Sequence, residues 1–266
     1  MYDSYSRHIT YLRISVTDRC NLACSYCMPE QATGHFPGGE VLTFEEISEL
    51  VKTLAPLGIS KIRLTGGEPL VRKGLEKLVE KISRVKGIRE VTLTTNGQLL
   101  ASRAKKLAQA GLNRVNISLD TLDPERYREI TRGGDIRRTL KGIEAAKTAG
   151  LNPVKLNCVI TPDTTRTEIE QLREFSSLQG LELRLIRQMN LGSGKFWKVE
   201  GGEGGQCQLC NRIRLTADGR FISCLFGEEE FSIKTFGIEQ AFTRAISQKP
   251  ERGRVNSRNT FHSIGG

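Results

Sequence analysis

The sequence predicts an α/β fold built on a parallel sheet that is curled but not closed, an incomplete (β/α)6 barrel. Three observations predict it: a strand-then-helix rhythm repeated six times, glycines placed just past helices, and strands with one apolar and one polar face. The strand-like runs fall at residues 12–17, 61–65, 90–95, 114–119, 153–160 and 181–189. Helical stretches fall at 43–57, 75–85, 101–110, 124–131, 138–149 and 167–179. Gly58, Gly87, Gly111, Gly150 and Gly180 follow helices, where a left-handed stop is favoured. Consecutive units of this kind imply crossover connections and therefore parallel strands. After residue 190 the rhythm breaks into a glycine-rich joint. Residues 213–216 and 220–224 flank Ala217-Asp218-Gly219 as a hairpin, a last helix falls near 238–248, and the tail ends Ile264-Gly265-Gly266. The expected organisation is a partial barrel over 1–190 and a short C-terminal region over 191–266.

Alternation splits each strand into two faces. One face is apolar, as in Leu12, Ile14, Val16 and Leu156, Cys158, Ile160. The other is polar and carries Arg13, Arg63, Thr94, Ser118, Lys155 and Arg184. A closed eight-stranded barrel fills its interior with branched apolar side chains, and a sheet covered by helices on both faces needs both faces apolar. This chain fits neither pattern, so the polar face is expected to line a wet, ligand-filled lumen. Burying Arg13, Arg63, Lys155 and Arg184 unpaired costs several kcal/mol per ion. The lumen is therefore expected to take a compensating polyanion, a phosphate-bearing ligand.

The net charge of +10 is spread along the chain without a Lys/Arg block, and aromatic residues make up only 6%. Stacking platforms for nucleic acid are thus scarce, and a nucleic-acid partner is not expected. No apolar run approaches the ~20 residues of a membrane helix, and the start lacks a signal-peptide core; no membrane partner and a cytoplasmic location are expected. The seven cysteines cluster, and an odd number is poorly suited to a disulfide framework, so metal is the better reading.

Cys20, Cys24 and Cys27 stand as Cys-x3-Cys-x2-Cys directly after the first strand. Three thiolates can hold three irons of a four-iron cluster and leave the fourth iron open. Zinc is the plainer alternative, but a structural zinc site wants four ligands, and His8, His35 and His262 do not lie at ligand spacing. Gly66-Gly67-Glu68-Pro69 follows the second strand. With the cysteine triad it resembles the radical S-adenosylmethionine (SAM) superfamily. The resemblance implies that this turn receives the SAM amino group, with glycine permitting close backbone approach and Glu68 facing an ammonium.

Cys207, Cys210 and Cys224 form a second triad in the run Cys207-Gln208-Leu209-Cys210-Asn211-Arg212-Ile213-Arg214, with Cys224-Leu225-Phe226 beyond it. With Val16-Thr17-Asp18-Arg19-Cys20-Asn21 and the Ile264-Gly265-Gly266 terminus, it resembles the GTP 3′,8-cyclase family of molybdenum cofactor biosynthesis. That resemblance implies two [4Fe-4S] clusters, each on three cysteines, and SAM as cofactor. It implies a 5′-deoxyadenosyl radical that removes hydrogen from the ribose C3′ of GTP, after which C3′ bonds to guanine C8 and the product is reduced. Tyr26, Gly67, Ser118 and Met189 match the family's SAM contacts. Arg13, Arg63, Thr94, Lys155, Arg212 and Arg214 match its GTP contacts, with Arg184 a further candidate. The implied partners are GTP, SAM, a reducing electron donor and the next enzyme of molybdopterin synthesis.

The chain departs from the family between the sixth strand and the second triad, where only residues 190–206 stand in place of a much longer segment. That segment helps close the barrel's open side, so the lumen is expected to be more exposed or covered by a second copy in a homodimer. Two alternatives stay open on the sequence: another radical SAM reaction with an auxiliary cluster, such as peptide modification, and a non-catalytic iron–sulfur or nucleotide-binding homologue. Cys158, on the apolar face, is expected to be a core thiol.

Overall fold

A nine-stranded sheet carries the fold in a computed structural model that describes residues 1–28 and 41–256. The predicted terminal Ile264-Gly265-Gly266 motif lies outside the described residues. In chain order the elements are β1 (Tyr11–Ser15), α1 (Phe44–Leu54), β2 (Lys61–Thr65), α2 (Leu75–Ser83), β3 (Glu90–Thr95), α3 (Ala104–Gln109), β4 (Arg114–Ser118), α4 (Pro124–Thr131), α5 (Ile136–Thr148), β5 (Lys155–Ile160), α6 (Arg166–Gln179) and β6 (Glu182–Arg187). There follow β7 (Arg212–Leu215), β8 (Arg220–Ile222), β9 (Glu230–Ser232), α7 (Ile233–Phe236) and α8 (Ile238–Ser247). The sheet order is β6-β5-β4-β3-β2-β1-β7-β8-β9, with β1 to β7 parallel and β8 and β9 antiparallel additions.

The helices form where local chemistry favours them. α1 places Ile47, Leu50, Val51 and Leu54 on one buried stripe at the i, i+3, i+4, i+7 spacing of an amphipathic helix. Thr43 and Glu46 close its first turn as a reciprocal capping box, and Thr165 with Glu168 does the same for α6. α6 stops at Gly180, whose φ of 65° is the left-handed conformation that a side chain disfavours.

Beneath the helices lies the core. Leu12, Ile14, Ile62, Leu64, Leu93, Val115 and Ile117 are fully buried on the helix-facing side, and Cys158 joins them as expected. The opposite side carries the predicted polar set and encloses a cavity of about 370 Å³ lined from strands β1 through β7. The sheet therefore curls, and β6 and β9 remain its two ends rather than meeting.

The tail does not stand apart from the barrel. β7 joins β1 in parallel, with Arg212 opposite Tyr11 and Arg214 opposite Arg13. The expected hairpin turns through Gly219 and pairs Arg214 with Ile222. α8 then packs on α1 and β8, and Phe242 meets Phe221 with ring centroids 5.5 Å apart. Several boundaries differ from the sequence reading by a few residues. β6 ends at Arg187, so Met189 sits in the following loop, and α3 begins at Ala104 after a turn. β9 and α7 were not legible in the sequence.

Candidate functional site

The first triad occupies the loop after β1. Backbone groups shape it: the amides of Cys27 and Met28 both donate to the Cys24 carbonyl at 2.9 Å, and the Leu22 amide donates to the Cys20 sulfur at 3.4 Å. Burial pushes all three thiols up; Cys27 reaches about 11, with the Cys20 charge adding to the effect. Such thiols lose their protons to a bound metal rather than to water.

Gly66 and Gly67 press against this loop. The Gly67 amide donates to the Thr17 carbonyl and the Glu68 amide to the Arg19 carbonyl, at 2.9 and 2.8 Å. A Cβ on Gly66 would lie 2.4 Å from the Thr17 oxygen, and one on Gly67 2.4 Å from the Arg19 oxygen. The close approach that demands glycine here is thus to the cysteine loop's own backbone. Glu68 likewise serves the chain. Its oxygens accept from the Leu70 amide at 2.9 Å, Thr95 Oγ1 at 2.8 Å and the Asn96 amide at 2.7 Å. Burial raises this carboxyl to about 7 against those hydrogen bonds.

Tyr26 donates from its phenol to Asp120 Oδ2 at 2.9 Å, and Asp120 Oδ1 accepts the Val159 amide at 2.8 Å. One buried carboxylate therefore ties the cysteine loop to β4 and β5. Burial raises Asp120 to about 6. Sequence reasoning missed Asp120: the contact spans 94 residues and leaves no local signal.

The register sets Arg214, Arg13 and Arg63 side by side across β7, β1 and β2. Each is less than a tenth exposed. Burial lowers all three, and neighbouring guanidinium charges lower them further; Arg214 falls to about 10. Arg63 Nε donates to Thr92 Oγ1 at 3.2 Å and the guanidinium lies over the Tyr11 ring. Arg184 adds a fourth cation from β6, with a buried Nε lacking a hydrogen-bond partner among the described residues. Thr94 Oγ1 and Asn157 Oδ1 are buried and unpartnered in the same lumen.

Lys155 departs from the expected set of lumen cations. Its ammonium pairs with Glu182, its register partner on β6, and it does not line the cavity. Lys61, Glu90 and Arg114 form a similar ion-paired group at the starts of β2, β3 and β4. The remaining predicted site residues all line the one cavity: the six cysteines at 20, 24, 27, 207, 210 and 224; Tyr26, Gly66, Gly67, Glu68, Ser118 and Met189; and Arg13, Arg63, Thr94, Arg212 and Arg214.

Topology separates the triads. Cys20, Cys24 and Cys27 follow the C-terminal end of β1. Cys207 and Cys210 precede β7, which runs parallel to β1, and Cys224 follows β8, which runs back. The second triad therefore sits at the other end of the strands. The arginines lie between. Burial pushes the Cys210 thiol up, but the Lys249 ammonium and Arg212 outweigh it and bring it to about 7. The first triad instead faces the carboxyls of Asp120 and Glu68.

The three thiols of the first triad are the donor set that an iron–sulfur cluster takes. Among the described residues, no three His, Cys, Asp or Glu side chains converge closely enough for one metal ion. A cluster asks for one thiolate per iron and hence a wider spread. The orphaned polar atoms and crowded arginines of the lumen fit an anionic, hydrogen-bonding ligand.

Residues 14–176 match a family model described as the radical SAM superfamily. The chain is similar to the GTP 3′,8-cyclase of Pelotomaculum thermopropionicum, at 41% identity over an alignment of 325 residues covering 100% of both chains. That alignment is longer than this 266-residue chain, so the relative carries residues absent here. It is also similar to the GTP 3′,8-cyclase of Thermodesulfovibrio yellowstonii, 39% identical over 94% of this chain and 95% of the relative. Among solved structures, SuiB of Streptococcus suis bound to its precursor peptide SuiA matches with a TM-score of 0.72 and 16% identity, over 96% of this chain and 68% of that one. The protein anSMEcpe with bound AdoMet matches at 0.67 and 17%, over 91% and 81%. At these identities the structural likeness is one of fold.

Proposed function

This chain belongs to the radical SAM superfamily and, within it, to the GTP 3′,8-cyclase family, and on that footing we infer that it converts GTP to 3′,8-cyclo-7,8-dihydroguanosine 5′-triphosphate in molybdopterin biosynthesis. The observation that carries the reading is the row of buried arginines, Arg214, Arg13 and Arg63, in one cavity between two cysteine triads. Cys20, Cys24 and Cys27 would hold the SAM-binding cluster; Cys207, Cys210 and Cys224 would hold a second. When bound and reduced, a four-iron cluster with an open iron supplies the electron that cleaves SAM to methionine and a 5′-deoxyadenosyl radical.

The chain's own residues supply binding and orientation. Asp120 holds Tyr26, and the Glu68 backbone amide with the two glycines holds the cysteine loop, so the SAM side is shaped before ligand arrives. The arginine row takes the triphosphate in a site where burial strengthens each charge interaction. Thr94 and Asn157 offer the lumen's unpartnered hydrogen-bonding atoms to the nucleoside. The remaining parts of the reading are a one-electron donor, the next enzyme of the pathway, a cytoplasmic setting that keeps the thiols reduced, and a second copy of the chain against the open side of the barrel. Among the described residues no helix is long and apolar enough to cross a membrane.

Reconstituted protein incubated with GTP deuterated at C3′, SAM and dithionite tests the reading. Deuterium should appear in 5′-deoxyadenosine, with a cyclised nucleotide as co-product. SAM cleavage that is indifferent to GTP, with no cyclised nucleotide, would overturn it.

A further inference from the structure

The second triad is borne by loops, yet the short segment before it leaves few residues to fix its position. Cys207 lies in a 3-10 turn and Cys224 in the loop after β8. Two buried cations from outside the triad's sequence meet there. Lys249, only 2% exposed, donates from Nζ to the Arg212 carbonyl at 2.8 Å, the Ser223 carbonyl at 2.9 Å and the Cys210 sulfur at 3.4 Å. It thereby touches one cysteine and the residue beside another. Arg7, 7% exposed, donates from Nη1 to the Cys207 carbonyl at 2.9 Å and the Glu251 carbonyl at 3.0 Å, and from Nη2 to the Pro250 carbonyl at 2.7 Å. Its Nε pairs with buried Asp3 at 2.6 Å, and Asp3 also accepts the amides of Tyr5 and Arg7.

The two cations differ in one respect. Arg7 has its countercharge in Asp3. None of the three partners of Lys249 is a carboxylate, and burying an uncompensated ammonium costs several kcal/mol. The anionic neighbour that its geometry provides is the sulfur of Cys210.

We propose that Arg7 and Lys249 are positioning residues that clamp Cys207, Cys210 and Cys224 into a ligating arrangement, and that Lys249 is in addition the buried countercharge of the iron–sulfur anion held there. This rests on the reading of that triad as a cluster site. The N-terminal turn and residues 249–251 thus do for the second site what β1 and the glycine turn do for the first. An ammonium against a ligating sulfur favours the more reduced, more negative cluster, so Lys249 raises its reduction potential.

The test uses reconstituted, desalted full-length protein and counts iron and sulfide, follows chelator removal of iron, and records the potential of each cluster by EPR-monitored titration. Wild type should hold about eight irons. Lys249→Met should release the second set about 10- to 100-fold faster, the usual scale for an outer-shell partner, and lower the potential of what remains. Lys249→Arg should restore both. Arg7→Met should speed release about tenfold without moving the potential, because Arg7 meets Cys207 only through its carbonyl. The first set of irons serves as the folding control. Eight irons in wild type with unchanged release and potential in both variants would overturn the clamp and the countercharge but not the second cluster. About four irons in wild type would overturn the second cluster itself, and the clamp with it. If Lys249→Met does not fold, unchanged release in Arg7→Met still refutes the clamp.

Discussion

At the scale of single residues, the lumen gathers arginines that are buried or half-buried. Arg212 is the most informative of the lumen cations to remove, because it is half-buried and its loss leaves no core cavity. Hydrogen bonds to a charged group are worth about 1.5–3 kcal/mol, so Arg212→Ala should weaken GTP binding about 10- to 100-fold. SAM binding should be unaltered. Calorimetric titration with each ligand separately checks this, and an unchanged GTP affinity would remove Arg212 from the site. Glu68 carries a pH signature. Burial raises its carboxyl from 4.5 to about 7, so between those values the folded chain holds a proton that the unfolded chain has lost. Its contribution is therefore fully present below pH 4.5 and disappears as pH rises through 7. In denaturant unfolding of the reconstituted protein, wild type should lose on the order of 3 kcal/mol relative to Glu68→Gln between pH 5 and 8. Parallel pH profiles for the two proteins would show that Glu68 keeps an ordinary carboxyl.

At the scale of elements, what was legible in the sequence was what is encoded locally. Strand and helix positions followed from apolar spacing, because Leu12 and Ile14 or Ile47, Leu50, Val51 and Leu54 declare their period within a few residues. Both cysteine triads and the glycine turn were legible for the same reason. What was missed is set by pairings between distant segments. Glu182 neutralises Lys155 only because β5 and β6 meet in one register, Asp120 reaches Tyr26 across 94 residues, and Arg7 reaches Cys207 across 200. The role of the glycine turn was legible in position and not in partner. It fits the cysteine loop so closely that a methyl at Gly67 would stand 2.4 Å from the Arg19 oxygen, a backbone atom that cannot swing aside. Gly67→Ala should therefore displace the loop after β1, release the first set of about four irons and abolish SAM binding, while iron at the second triad persists. Iron analysis with equilibrium SAM binding checks it, and retention of both would mean that the loop tolerates the shift.

At the scale of the whole molecule, the lumen's cations couple ligand binding to the integrity of the sheet. Arg214, Arg13, Arg63 and Arg184 come from β7, β1, β2 and β6, so a ligand that met all four would bridge the C-terminal hairpin, the middle of the sheet and its open end. Burial holds all four guanidinium groups below their ordinary range, and neighbouring arginine charges lower them further. On the proposed reading a triphosphate offsets that charge, and binding to the folded chain alone stabilises that chain by about 2.7 kcal/mol at a ligand concentration 100 times Kd. The resulting rise in melting temperature should follow phosphate charge, falling from GTP to GDP to GMP, with guanosine near zero. Because the charges are buried, the GTP shift should survive moderate salt that screens exposed pairs. ATP separates two sources of the effect. If the arginine row acts alone, ATP matches GTP; if Thr94, Asn157 and the second triad read the base, GTP exceeds ATP at equal concentration. Thermal melts of the reconstituted protein with the five ligands decide this, and equal shifts for GTP and guanosine would mean that the arginine row is not the triphosphate site.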